Sequence, residues 1–443
     1  MSAAATPSRG ALFADRNFLW LLGGGIVSLL GDQFTLIALP WLVLKLTGDA
    51  LTLGAVIAVM SVPRAAFVLV GGAIVDRHSP RNVLLLAKLA NAALVGLLAG
   101  LVWFDALPLA ALYAIAAGIG LATAFGYPAS SALLPQAIAP ALLRPANSAL
   151  MSLRQATVLV GPILAGLLVG VSGARRPGQM ADAHGLTLAF ALDALSFIAS
   201  AAALVPVRLR AREARARAAG MLDSIGETLR AFWNDRALRT LCGYFAAVSF
   251  FVGGPIQVAL PVLVDRQLPG GAAALGVLAT AHGVGVLVGM VLSGARPGWR
   301  LRTLGMTMLV VDVVSGGALV AFGRIQSVTQ GVLLLAVLGA LAGFVQVAVF
   351  SWMQRRVDPA MLGRAMSVFL FIFLGLAPLS AAAAGVGLRW LAPGALFGAS
   401  GLMLVALALL GLAFTSIREI RDGATAATGD AAPEDGTAPA RAA

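Results

Sequence analysis

The sequence predicts an all-α integral membrane protein in which twelve transmembrane helices form two six-helix bundles. Hydrophobic residues make up 60% of the 443-residue chain and charged residues only 11%, with a mean hydropathy of +0.93. Soluble globular proteins do not have this composition. Apolar runs long enough to cross a hydrocarbon core of about 30 Å recur along the chain. An arginine-rich polar stretch in the middle divides these runs into two sets of six.

Hydropathy and turn residues locate the twelve spans. They are expected near 18–45, 51–75, 83–104, 107–127, 147–171, 187–206, 240–264, 272–294, 303–323, 329–352, 364–387 and 393–416. The first run is too long for the core of a signal peptide, and no small-residue cleavage site follows it. We therefore interpret it as a membrane span.

Basic residues are unevenly divided between the two sides of this predicted bundle. Most of the 31 Lys and Arg residues lie in the segments on the side that holds both termini and the middle loop. The positive-inside rule then predicts a multi-pass protein of the cytoplasmic (inner) membrane with both termini in the cytoplasm. This distribution accounts for the formal net charge of +12 without a nucleic-acid partner.

The composition also suggests where the domains begin and end. The expected order is a cytoplasmic N-terminal segment (1–17), a six-helix bundle (18–206), a cytoplasmic linker (207–238), a second six-helix bundle (239–416) and a cytoplasmic tail (417–443). Apolar residues from Leu222 to Trp233 recur at helical spacing, which predicts an amphipathic helix at the membrane interface; a solvated linker is the alternative. The tail is rich in Ala, Gly, Thr, Pro and acid, so it is expected to be disordered.

The two halves resemble each other in sequence. The segment from Pro140 to Ser148 aligns with that from Pro359 to Ser367, each just before the fifth span of its half. Repeats of the same topology imply a pseudo-two-fold axis along the membrane normal, with a central cavity between the bundles.

The connection between the second and third spans carries the most specific motif. Its sequence, Gly71-Gly-Ala-Ile-Val-Asp-Arg-His-Ser-Pro-Arg81, resembles the loop motif of the major facilitator superfamily, and the resemblance extends over nearly the whole chain. It implies the major facilitator fold and a latch between the halves on the cytoplasmic side. The implied latch residues are Gly72, Asp76, Arg77, Arg81 and Arg364. Ala295 stands where the second-half copy would have its acid, so any latch would be one-sided.

Further motifs narrow the branch of the superfamily. Gly161-Pro162-Ile-Leu-Ala-Gly166 resembles part of the Gly-Pro motif of drug–proton antiporters, although the stretch before it lacks the fuller glycine spacing. The first two spans, with Ser28-Leu-Leu-Gly-Asp32 and Pro63-Arg64, resemble exporters of enterobactin-type siderophores and macrolides. The resemblance implies a proton-coupled exporter of amphipathic small molecules that works by alternating access. An uptake symporter or a facilitator for a small metabolite is the alternative.

Three carboxylates lie within predicted spans: Asp32, Asp193 and Asp312. An acid near the centre of a membrane helix costs roughly 2.5–3.5 kcal/mol on insertion scales, which marks Asp32 as functional or paired. Asp32 is either a proton carrier or the fixed partner of Arg64 or Arg154. Asp312 and His282 are further proton-coupling candidates. Structural hydrogen bonds are the simpler interpretation for Asp193 and Asp312, and packing as a neutral side chain is the simpler one for His282.

Other polar and aromatic residues in the spans are candidates for the substrate cavity. They are Gln33, Phe34, Arg64, Tyr127, Arg154, Gln155, Phe250, Gln257 and Gln346. Lys88 is expected to extend its side chain to the membrane surface and to have no function.

The sequence contains no sign of an enzyme. No nucleophile–base set, phosphate-binding loop or metal-ligand spacing is visible, and Cys242 is the single cysteine. No cofactor or metal is expected. The predicted partners are a small-molecule substrate, protons and the lipid bilayer, and the protein is expected to be a monomer.

Overall fold

The computed structural model describes residues 9–171, 182–210, 235–296, 299, 301–357 and 362–420. Within these ranges all regular secondary structure is helical. Eleven helices are long and apolar enough to cross a membrane, and a shorter apolar helical stretch, Gly375–Gly387, belongs to a twelfth. The predicted fold class is confirmed.

Each predicted span corresponds to one helix, and a short helix, Arg9–Ala14, precedes them. The first half contains α1 (Arg16–Thr47), α2 (Ala50–Arg77), α3 (Pro80–Trp103), α4 (Leu109–Ala137), α5 (Leu143–Val171) and α6 (Ala183–Leu204). The second half begins with α7, which consists of Arg236–Gly254, a π-helical turn Pro255–Ala259 and Leu260–Gln267. It continues with α8 (Gly271–Ala295), α9 (Leu304–Phe322), α10 (Val328–Arg356), α11 (Leu362–Gly387) and α12 (Pro393–Phe414).

Local sequence explains how the short turns end one helix and start the next. Gly48 closes α1 in the left-handed conformation (φ 64°), which glycine adopts without strain. Asp49 then caps α2 by accepting hydrogen bonds from the Leu51 and Thr52 amides. Thr303 caps α9 and Ser327 caps α10 in the same way.

Within each half the helices pack as a bundle. In the first half α1 contacts α5 and α6, α2 contacts α4, and α3 contacts α4 and α6; in the second, α7 contacts α11, α8 contacts α10, and α9 contacts α10 and α12. The extensive contacts between the halves are those of α5 with α8 and of α2 with α11.

Glycine backbones meet at both of these crossings. A Cβ on Gly166 would lie 2.8 Å from the Cα of Gly276, and a Cβ on Gly54 would lie 3.0 Å from the Cα of Gly385. Small residues at a helix crossing allow this close approach.

The two ends of the bundle differ in how the halves meet. We call the end that holds Arg16 and Ile420 the terminal side, and the opposite end the far side. On the far side one buried cluster includes residues of both halves, among them Trp41, Leu263 and Ala384. Towards the terminal side, buried clusters are confined to one half or the other. Among the described residues, the halves therefore share a core on the far side and have separate cores towards the terminal side.

A hydroxyl from another helix interrupts α7. The Gly254 amide donates to Ser380 Oγ at 2.6 Å, and Ser380 Oγ in turn donates to the Phe250 carbonyl. In a regular helix Gly254 would bond directly to Phe250, four residues earlier. The inserted hydroxyl, followed by Pro255, accounts for the π-helical turn.

Some predictions fall outside the described residues. The amphipathic helix at 222–233 and most of the tail do so, and so does the start of the second copy of the repeat, at residues 359–361. The first copy begins with a short 3₁₀ turn, Pro140–Leu142, that leads into α5.

Candidate functional site

Asp32 lies in the middle of α1 and faces the interior of the molecule. Its side chain keeps exposed surface, yet the surrounding protein is dense enough to desolvate the carboxylate. A residue on the wall of an internal cavity has both properties. Among the described residues Asp32 has no hydrogen-bond or salt-bridge partner, and the charges of Lys88 and Arg154 act on it.

Lys88 on α3 points inward, which corrects the sequence-based prediction. Its ammonium group donates to Ser28 Oγ at 2.5 Å and lies 5.0 Å from the centre of the Phe197 ring. The charges of Asp32 and Asp193 act on Lys88. The prediction that Lys88 reaches the membrane surface was wrong, because these interior partners stabilise the ammonium group better than a distant interface would.

Asp193 on α6 forms a charged cluster with Asp32 and Lys88. Its carboxylate accepts hydrogen bonds from Thr35 and from Ser196, and the side chain is 1% exposed. The structural hydrogen bonds expected for Asp193 are therefore present. Gly31 makes the arrangement possible, since a Cβ there would lie 2.6 Å from Asp193 Oδ1.

Three predicted cavity residues of the first half have described contacts with each other or with α5. Arg154 of α5 is exposed and its guanidinium lies 6.0 Å from the Tyr127 ring centre. Gln33 packs against Gly161, where a Cβ would lie 2.3 Å from Gln33 Cγ, and its Oε1 is buried without a hydrogen-bond partner in the described structure. The glycine of the Gly-Pro motif thus accommodates the residue next to Asp32.

Arg64 is not brought together with Asp32. It is half-buried on α2, and none of the described residues forms a hydrogen bond or ion pair with its side chain. The predicted alternative of a fixed Asp32–Arg64 pair is absent. Phe34 packs against the main apolar cluster, and Gln155 is half-buried on α5.

The second half presents a different set of groups. Tyr244 of α7 donates to Asp312 of α9 at 2.6 Å, and both side chains are buried. The structural hydrogen bond expected for Asp312 is therefore present. His282 on α8 is half-buried and has no side-chain partner in the described ranges. Phe250 is half-buried and stacks edge-to-face on Phe251, whereas Gln257 and Gln346 are exposed.

The implied latch of the terminal side is described only in part. Arg81 donates to the Val205 and Val207 carbonyls at the end of α6, so this arginine is bound within the first half. Arg77 is exposed. The surroundings of Gly72, Asp76 and Arg364 lie outside the described side chains.

A polar connection on the far side was missed by the sequence analysis. Lys45 at the end of α1 forms a salt bridge of 2.6 Å with Asp265 at the end of α7 and lies 4.7 Å from the Trp41 ring centre. Trp41 donates to Asp182 at 3.0 Å and packs against Gly271. Only the opposite charges of Lys45 and Asp265 at the ends of corresponding helices could have indicated this connection.

A separate groove of about 560 Å³ lies on the outside of the first half between α1 and α6. Arg16 is its one charged lining residue, and the others are small or apolar residues such as Trp20, Val27 and Ala203. It contains none of the predicted cavity residues.

The described part of the chain contains no group of three or more His, Cys, Asp or Glu side chains that could hold a metal ion. The interior site consists of charged and amide side chains on membrane-spanning helices. Such groups bind and carry solutes or protons in transporters.

Family comparison decides the class of the protein. The family model of the Major Facilitator Superfamily matches residues 21–382. The chain belongs to the Major Facilitator Superfamily. This membership confirms the resemblance inferred from the Gly71–Arg81 loop, and it makes the protein a membrane transporter rather than an enzyme.

Several relatives within the superfamily are named as efflux proteins. The multidrug efflux pump Tap of Mycobacterium tuberculosis is 27% identical over 416 residues, which cover 90% of this chain and 94% of the relative. Macrolide efflux protein A of Streptococcus pyogenes is 23% identical over 361 residues, covering 80% and 84%.

Solved superfamily structures share the fold. A D-xylose–proton symporter aligns with a TM-score of 0.68 at 15% identity, covering 91% of this chain and 98% of that one. A bacterial homologue of the human lysosomal transporter Spinster, in an inward-facing and unoccupied conformation, aligns with a TM-score of 0.67 at 14% identity, covering 93% and 97%.

Proposed function

We propose that this superfamily member is a proton-driven exporter of amphipathic small molecules, of the drug or siderophore type. The observation that carries the proposal is Asp32: a carboxylate on the wall of the interior, without a fixed partner among the described residues and within the field of Lys88. The names of the relatives, a multidrug pump and a macrolide efflux protein, support the outward direction.

Asp32 can couple proton movement to transport because neighbouring charges stabilise the site in both protonation states of its carboxyl group. When Asp32 is ionised, the charges of Lys88 and Arg154 stabilise the carboxylate inside the protein. When it is protonated, Lys88 still faces Asp193, which also interacts with it. Because Asp193 is held by Thr35 and Ser196, Asp32 is the carboxylate of the cluster that is free to exchange a proton with the cavity.

The asymmetry of the two ends supports alternating access. The proposed orientation has the termini in the cytoplasm, on the grounds of the positive-inside rule, so the terminal side is where substrate enters. The far-side contacts at Lys45 and Asp265 then have to separate for release, as the halves rock about the crossings of α2 with α11 and of α5 with α8. Arg77 and Arg81 lie on the side that must close in the second state.

We propose the same domain boundaries, oligomeric state, membrane and partners as those predicted from the sequence. The two bundles span 18–206 and 239–416, with a cytoplasmic segment at 1–17, a linker at 207–238 and a tail at 417–443. The protein works as a monomer in the bacterial inner membrane, and its partners are the substrate, protons and lipid.

Transport by reconstituted protein tests the proposal. Liposomes containing the protein are loaded with 5-carboxyfluorescein as a probe substrate, and its movement is followed with and without an imposed proton gradient. The wild type should move the probe only under the gradient. Asp32→Asn should keep gradient-independent exchange and lose accumulation against a concentration difference.

Asp312→Asn is the matched control, since it removes a carboxylate from the second half. It should retain gradient dependence, because Asp312 is bound to Tyr244. Loss of coupling in Asp312→Asn together with normal coupling in Asp32→Asn would move the proton site to the second half. Retained cytoplasmic compound in a deletion strain distinguishes export from uptake.

A further inference from the structure

The charges inside the first half do not balance among the described residues. Away from the helix ends, the spans of the first half contain three cations, Arg64, Lys88 and Arg154, and two carboxylates, Asp32 and Asp193. The charges of both carboxylates act on Lys88, and the charge of Arg154 acts on Asp32. No carboxylate among the described residues acts on Arg64, which experiences desolvation alone. One guanidinium therefore has no counter-ion.

The geometry of α2 shows where Arg64 points. The Met60 carbonyl lies against α4, since a Cβ on Gly120 would approach it to 1.9 Å, and Gly54 lies against Ala381 of α11. At 3.6 residues per turn, Arg64 projects roughly 40° from Met60 and roughly 80° from Gly54, between the two directions. Val62 projects from nearly the opposite side and is 53% exposed. Arg64 thus faces the interior between α4 of the first half and α11 of the second, and not the lipid.

A second unsatisfied polar group lies beside Arg64. Ser61, three residues earlier on the same side of α2, is 1% exposed, and its hydroxyl has no hydrogen-bond partner among the described residues. Buried hydroxyls normally have a partner, and buried guanidinium groups normally have an anion. A ligand that brings an acceptor would satisfy both groups.

Resting on the proposed function, we propose that the transported substrate carries an anionic group, a carboxylate or a group of similar shape, and that Arg64 binds it, with Ser61 donating a further hydrogen bond. The guanidinium presents paired N–H donors that match a carboxylate in a bidentate arrangement. The cluster around Asp32 is then left to the proton, so substrate anion and proton have separate sites on the same half. An amphipathic organic acid is the class of substrate that fits.

Binding to the full-length purified protein tests this without relying on transport. The probes are 5-carboxyfluorescein, an organic anion, and rhodamine 123, a cation with the same xanthene core, each followed by fluorescence polarisation. The wild type should bind the anion more tightly than the cation. Arg64→Gln should weaken binding of 5-carboxyfluorescein at least tenfold and leave rhodamine 123 binding unchanged.

Three further variants sharpen the result. Arg64→Lys should recover part of the anion affinity, because it restores the charge but not the paired donors. Ser61→Ala should weaken anion binding about tenfold, the loss of one hydrogen bond to a charged group. Arg324→Gln, which removes one positive charge from an exposed loop between α9 and α10, should have no effect.

Each outcome decides between the proposals. Anion binding that is absent from the wild type, unchanged in Arg64→Gln, or weakened equally by Arg324→Gln overturns the anion site. If Arg64→Gln does not fold, Arg64→Lys and Ser61→Ala still decide, since unchanged affinity in both overturns it. Arg64-dependent anion binding without gradient-driven transport would refute the proposed function and leave the anion site in place.

Discussion

The two halves of this transporter share a fold and differ in the chemistry of their interiors. In the described part of the first half, Asp32, Lys88 and Asp193 form a charged cluster between α1, α3 and α6, and Arg64 and Arg154 lie on neighbouring helices. The corresponding part of the second half has a hydrogen bond from Tyr244 to Asp312. The described contacts of the first half are therefore ionic, whereas this contact of the second half joins a carboxyl group to a phenol.

The polar connections occupy related positions in the two halves. Lys88 and Ser28 join the third helix of the first half to its first, and Asp312 and Tyr244 join the corresponding helices of the second. The first connection contains the ammonium group of Lys88, whose charge requires a counter-ion. The second pairs a carboxyl group with a phenol. Repeated architecture therefore preserves the place of a polar contact without preserving its charge.

The largest effect is expected when the cation of the charged cluster is removed. Lys88→Met leaves Asp32 and Asp193 close together without the ammonium group, and breaking a buried charge set in this way typically costs about 3–5 kcal/mol. Thermal unfolding in detergent should show a clearly lowered midpoint. The double variant Lys88→Met with Asp32→Asn should recover much of the loss.

Lys45→Met is the control for lysine removal, since the Lys45 side chain is 26% exposed. It should shift the unfolding midpoint far less than Lys88→Met does. Equal shifts for the two variants would mean that Lys88 in the interior cluster stabilises the protein no more than the partly exposed Lys45 does.

A smaller loss is expected from the neutral connection of the second half. Tyr244→Phe removes the phenol hydroxyl from buried Asp312 and should cost about 1–3 kcal/mol of stability. Tyr113→Phe, whose hydroxyl has no partner among the described residues of α4, should be close to neutral. If the Tyr244 variant unfolds like wild type, Asp312 has another partner and joins Asp32 as a proton candidate.

The turn after the first helix of each half gives a third test. Asp49 caps α2, whereas Gly270 and Gly271 form the corresponding turn before α8. Asp49→Ala should cost about 0.5–2 kcal/mol, as other N-cap removals do. Ser79→Ala is the control, because Ser79 caps α3 without a side-chain hydrogen bond.

The stabilisation of the protein by Asp49 should decrease as the pH falls. Partial burial opposes ionisation, but hydrogen bonds from Thr52 and Leu51 and the charge of Arg389 hold the pKa of Asp49 below its usual value. The stabilisation is then fully present above the ordinary aspartate pKa of about 3.9 and is lost as the pH falls through the lower folded value. Unfolding curves of wild type and Asp49→Ala should converge only in acid.

The smallest effect is expected at the contact that joins the halves. Asp265→Asn breaks the far-side salt bridge to Lys45, which is partly exposed and therefore worth about 0.2–1 kcal/mol. This should shift the population away from the far-side-closed state by a few-fold at most. Thiol labelling of Met151→Cys, at a position 62% exposed on α5, should slow accordingly.

Asp105→Asn, a change at an exposed loop on the far side, is the control and should leave labelling unchanged. An unchanged rate in Asp265→Asn would show that apolar packing alone closes the far side.

The sequence predicted the fold and only part of the site. Hydropathy located all twelve helices because lipid forces every span to satisfy its backbone internally. Asp32 was recognised because an isolated acid in an apolar run is costly. Lys88 was misread, since its distance from the membrane surface along α3 does not reveal which neighbour its side chain meets. The Lys45–Asp265 salt bridge and the Ser380 insertion connect residues more than a hundred positions apart, which periodicity within one helix cannot indicate.

At the two crossings between the halves, glycine backbones come into close contact. Interlocked side chains would resist a change of angle, because each new angle would require new rotamers. Two smooth contacts at separate points, one at Gly54 and Gly385 and the other at Gly166 and Gly276, define a line about which one half can tilt against the other. The glycines that join the two halves are thus also the points about which the halves can tilt.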